Sequence, residues 1–196
     1  MDEPEIRWSR GKLDARDHEL ALMLLSARER ERYNGLTRGR ADAFLAGRAL
    51  LRSLLGELVG MDARDVPLAA ECPDCGGEHG APVIPGYAMG ISLAHVDDVV
   101  VAVAQSGARV GVDVELRTQS AERLDAIAEV TGHRSVQHWT RVEAVLKADG
   151  RGLRVDPRTV IIEGDRATVN GGPVGYRVRE VDLADDLCVS IAVAEP

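Results

Sequence analysis

Residues 110–115 read Val-Gly-Val-Asp-Val-Glu, and residues 139–147 read Trp-Thr-Arg-Val-Glu-Ala-Val-Leu-Lys. The first stretch alternates: Val110, Val112 and Val114 point to one side, Gly111, Asp113 and Glu115 to the other. That is the period of a β-strand with one apolar face. In the second stretch Trp139, Glu143 and Lys147 step by four. At about 100° per residue they form a helical stripe about 80° wide. A strand and a helix, each with chemistry on one face, set the reading of the rest of the chain.

Working outward, helices are predicted over residues 119–130 and 135–148, the second stopped by Gly150 and Gly152. Strands follow at Thr159–Glu163, Ala167–Asn170, Tyr176–Val181 and Cys188–Val193, with turns at Asn170-Gly171-Gly172 and Asp185-Asp186. On the N-terminal side come short strands at Ile91–His95 and Val99–Ala104, with a turn at Ser106-Gly107. Earlier still, Ser26 and Glu29 have the capping-box spacing for a short helix ending near Asn34-Gly35. A long amphipathic helix is predicted from Thr37 to Val59, with Gly60 as its stop. Helices then strands, twice over, give an α+β fold. We expect two similar halves, 1–107 and 108–196, related by a pseudo-twofold. Each would be a long helix packed on a small antiparallel sheet, with a groove between the halves suited to a ligand.

Composition narrows the function. The chain has 196 residues, 45% of them hydrophobic and 29% charged. No run approaches the roughly 20 apolar residues of a membrane span, and the acidic Met1–Glu5 is not read as a secretory leader. The net charge of −8 argues against nucleic acid as the main partner. Three cysteines, Cys72, Cys75 and Cys188, make a poor disulfide framework and predict a reducing cytoplasm. A monomer is expected. Only Lys12 and Lys147 are lysines, so a lysine within a motif stands out.

Asp113 and Glu115 on one strand face repel each other unless a cation joins them, and carboxylates are the usual home of Mg²⁺. The same spacing also fits an edge strand with a solvated acidic face. Glu143 and Lys147 likewise fit a surface (i, i+4) pair. Arg40, Arg48 and Arg52 fit solvated helix charges, and His95 a hydrogen-bonded strand end.

Gly111–Glu115 (GVDVE) followed by Trp139–Lys147 (WTRVEAVLK) resembles the paired signature of the 4′-phosphopantetheinyl transferases of the surfactin-synthetase type. Leu25–Arg30, Arg40–Arg52 and the CPDCGGEHGAP loop are similar to further stretches of that family. The resemblance covers roughly residues 24–195. It implies transfer of the phosphopantetheine arm of coenzyme A to a serine of an acyl or peptidyl carrier protein, with release of 3′,5′-ADP. It implies that Asp113, Glu115 and Glu143 hold Mg²⁺, that Glu143 or a water it orients takes the serine proton, and that Lys147 assists departure of the ADP. By the same resemblance Arg40, Arg48 and His95 bind coenzyme A together with Lys147, and Arg52 is a weaker candidate. Arg123, Arg134 and Arg141 would meet the carrier protein. A non-catalytic homologue that binds coenzyme A or a carrier protein is the alternative.

Three positions depart from the family pattern: Val142 and Ala81 stand where it has a basic residue, Ala94 where it has Ser or Thr. Val142→Lys is accordingly expected to restore a contact with little change in stability. Cys72-x-x-Cys75-x-x-x-His79 has partial zinc spacing. A loop stiffened by glycine and proline is the other reading. Cys188, between Leu187 and Val189, reads as core.

Overall fold

A computed structural model describes residues 3–72, 74–77 and 79–196. Among the described residues the class is α+β, with five α-helices and two antiparallel sheets. The first sheet contains β1 (Glu5–Arg10), β2 (Met89–Val96) and β3 (Val99–Ser106), in the order β1-β3-β2. The second contains β4 (Val110–Leu116), β5 (Val160–Glu163), β6 (Arg166–Val169), β7 (Gly175–Glu180) and β8 (Leu187–Ala194), in the order β4-β8-β7-β6-β5. The helices are α1 (Ala15–Leu24), α2 (Ala27–Asn34), α3 (Arg38–Val59), α4 (Ala121–Thr131) and α5 (Val136–Asp149). Among the described residues no helix is long and apolar enough to cross a membrane.

Local signals account for most boundaries. Ser26 and Glu29 form the reciprocal capping box of α2. Gly60, Gly132 and Gly150 end α3, α4 and α5 with left-handed backbone. Sequence reading passed over β1 and α1. β1 is a charge-rich edge strand whose Trp8 pairs opposite Val101. α1 is capped by Asp14, which accepts from the Asp17 amide. It has Ala21 as its buried residue, and so lacks a long apolar stripe.

The apolar run of β3 has a packing reason. Ala102 and Ala104 face α3 among Leu51, Leu54 and Leu55. Val101 and Val103 face the second sheet, where they join Val110, Val112, Val114, Val189 and Ile191 in one cluster. β8 is buried on both faces in the same way: Ala192 packs with Val145 and Leu146 of α5. The two sheets also meet along β2 and β4. The Val112 amide donates to Ser92 Oγ at 3.2 Å. A β-carbon on Gly90 would lie 2.2 Å from the Ala108 carbonyl oxygen. Gly90 beside Ala108 and Ser92 beside Val112 mean that β2 runs parallel to β4. The His95 end of β2 therefore lies at the same end of this junction as Glu115.

Candidate active site

α5 carries the helical stripe and β4 the carboxylates. Ser135 caps α5, its hydroxyl accepting from the His138 amide. The buried Thr140 and Ser190 hydroxyls bond at 2.8 Å and tie α5 to β8. Gly111 sets the distance to β4: a β-carbon there would lie 2.0 Å from the Ala144 carbonyl oxygen and 2.5 Å from the Ala148 nitrogen. The helix therefore rests on bare strand backbone.

That contact lays the stripe along the acidic face. Trp139 Nε1 donates to Glu115 Oε1 at 3.1 Å. Lys147 Nζ donates to Asp113 Oδ1 at 2.8 Å and to the Val112 carbonyl at 2.9 Å. Arg123, at the start of α4, reaches the same Glu115 oxygen at 2.5 Å and lies over the Trp139 ring. Glu143 comes one turn after Trp139 and one turn before Lys147.

The electrostatics follow from burial. Asp113 is held above the usual carboxylate range because its loss of water outweighs the nearby Lys147 amine. Burial also raises Glu143, and the charges of Asp113 and then Glu115 add to it, against Lys147. Three carboxylates thus share a site with one lysine and one arginine. Their hard oxygen donors suit Mg²⁺, and an added divalent cation would offset the excess negative charge. Among the described residues their oxygens do not close as a set to within 4.8 Å of one another. Asp113 is turned to Lys147 and Glu115 to Arg123 and Trp139.

The remaining predicted residues are placed differently from one another. Arg40, in the first turn of α3, is exposed, and so is His95. Arg48 is buried, its Nε 3.2 Å from Glu29 Oε1 and its guanidinium over the Phe44 ring. The two positions differ in exposure although they are eight residues apart on one helix. Arg52 is 2% exposed and donates to Glu29 Oε2 at 2.7 Å and to the Val66 carbonyl at 2.8 Å. Of the three arginines expected at a carrier protein, Arg123 holds Glu115, Arg134 pairs with Asp125, and Arg141 donates to the Gly164 carbonyl. Val142 is fully buried in the core beneath α5, which corrects the expectation that a lysine there would be tolerated.

Sequence reading missed Gly111 as the spacer and Arg123 as the partner of Glu115. The glycine within GVDVE was a visible signal; what packs on it was not. A cavity of about 920 Å³ lies elsewhere, lined by Lys12, His18, Tyr33, Arg38 and Asp97 among others, and none of the site carboxylates lines it. No protein-family model matches the chain, and no curated protein matches it.

Proposed function

We propose that the chain is a 4′-phosphopantetheinyl transferase of the surfactin-synthetase type, built as two pseudo-twofold halves. It moves the phosphopantetheine arm of coenzyme A onto a carrier-protein serine. The observation that carries this reading is the engagement of α5 with β4. Lys147 and Trp139 each hold one carboxylate of the strand, and Glu143 comes between them in the helix.

Asp113, Glu115 and Glu143 would hold Mg²⁺, which supplies charge neutralisation at the pyrophosphate. The serine oxygen forms a bond to the phosphorus that carries the pantetheine arm. The bond from that phosphorus to the bridging oxygen breaks, and 3′,5′-ADP leaves with the electron pair. Glu143, or a water it orients, takes the serine proton. The Lys147 amine stands ready to offset charge on the departing ADP. Arg40 and His95, both exposed, would meet phosphates of coenzyme A. Arg48 would do so only on leaving Glu29.

Intact-mass analysis of an apo carrier protein incubated with coenzyme A, Mg²⁺ and this protein tests the reading. One added phosphopantetheine is expected, with none when Mg²⁺ is withheld. Thermal stabilisation by coenzyme A without any mass gain would replace it with the non-catalytic alternative.

A further inference from the structure

The loop between α3 and β2 carries a second chemistry, independent of the transferase reading. An Ala69–Val83 bridge closes its base. Inside, the Cys72 amide donates to the Gly77 carbonyl at 2.7 Å, Gly76 to Cys72 at 2.8 Å and Gly80 to Ala70 at 2.6 Å. A β-carbon on Gly80 would lie 2.2 Å from the Glu71 carbonyl oxygen, so the chain leaving His79 passes directly over the chain entering Cys72. The result is convergence. One ligand atom each from Cys72, Cys75 and His79 lies within 4.8 Å of the other two, the one such trio of Cys, His, Asp or Glu among the described residues. Cys75 Sγ and His79 Nε2 are 3.0 Å apart.

We infer that Cys72, Cys75 and His79 form a zinc site in this loop. Zinc–sulfur bonds of about 2.3 Å and zinc–nitrogen bonds of about 2.0–2.1 Å, at tetrahedral angles, set ligand atoms about 3.5–3.8 Å apart. Three atoms already this close need only small side-chain rotations. Two sulfurs and an imidazole select zinc over the hard cations suited to the Asp113 site. The Gly77 amide donates to Cys75 Sγ at 3.4 Å, a backbone contact of the kind that orients a ligand sulfur. Three protein ligands leave the fourth position to water. Asp74 lies beside the trio: its Oδ2 is 4.0 Å from Cys72 Sγ, and its carboxylate pairs with Arg154 at 3.1 Å, beyond α5. Zinc would also fix the end of a loop whose Asp74 meets Arg154 in the segment that follows α5.

The test uses the full chain, reduced, stripped with chelator and titrated with Zn²⁺ against a chromophoric competitor. One zinc per chain is expected, with a rise in Tm on loading. Cys75→Ser and His79→Ala lie at exposed positions and should leave the circular dichroism unchanged. Each should weaken binding by more than the roughly 10–100-fold that loss of a supporting residue costs. Co²⁺ in place of zinc should show thiolate charge-transfer absorption that disappears in Cys75→Ser. Absence of saturable binding, or binding unchanged in Cys75→Ser and His79→Ala, overturns the site. Neither result bears on phosphopantetheine transfer, which is read by mass on the carrier protein.

Discussion

Gly111 and Ala144 are in backbone-to-backbone contact: a β-carbon on the glycine would stand 2.0 Å from the alanine carbonyl oxygen. Both partners are backbone within regular elements, so no side-chain rotation can relieve the clash and the helix must shift as a whole. Gly111→Ala must push α5 off β4, carrying Glu143 and Lys147 away from Asp113. A loss of about 1–3 kcal/mol or more is expected, as for other overpacked cores. Urea unfolding checks the stability, and the carrier-protein mass assay checks the fall in transfer that the proposed function entails.

Glu143→Gln separates function from folding. The carboxylate is held above its ordinary pKa mainly by burial, so ionisation there costs stability that the neutral amide would not. On the proposed function, turnover should fall by about 10²–10⁴-fold, the scale of one acid–base group. Thermal denaturation of the metal-free protein should show a Tm no lower than that of the parent.

Val142→Lys places an ammonium among Val145, Leu146, Val155 and Val178. An uncompensated buried charge costs several kcal/mol, a large share of the roughly 5–15 kcal/mol that holds a domain folded. The variant should show a sharply lowered urea midpoint or fail to fold. A gain in transfer activity by a stable variant would show that position 142 opens to the groove.

Glu29 joins α2 to α3. Its carboxylate meets both Arg48 and Arg52 while also capping its own helix at the Ser26 amide. Glu29→Gln leaves the nearly fully buried Arg52 charge without its counter-ion. Breaking such a pair typically costs about 3–5 kcal/mol, and chemical denaturation measures it. A near-neutral result would mean that Arg52 is solvated in solution.

Acid should act at the end of α5. Asp149 is held below the usual carboxylate range first by hydrogen bonds from Arg151, then by the Tyr176 hydroxyl at 2.8 Å. A depressed folded pKa means stability that is present above the unfolded value of about 3.9. It is lost as pH falls through the folded value. The Tm gap between the parent and Asp149→Asn should be largest near neutrality and close below about pH 4. Arg151 is half exposed, so most of the effect should follow the Tyr176 bond.

Sequence alone determined the elements whose cause is local. The capping box at Ser26, the stop at Gly60 and the alternation of 110–115 each act within a few residues, and each appears where the pattern put it. The stripe of Trp139, Glu143 and Lys147 was legible because helical periodicity is a property of spacing. β1 and α1 were not, since a polar edge strand and a helix with a single buried residue carry little periodic signal. Tertiary structure decided what no spacing contains: that α5 lies on Gly111, that Arg123 turns to Glu115, and that β2 runs beside β4. It also decided that equally charged arginines on α3 differ, Arg40 in water and Arg48 closed on Glu29. Burial of a charged side chain depends on what packs there, and for Arg48 that partner is Glu29 of α2, 19 residues earlier in the chain.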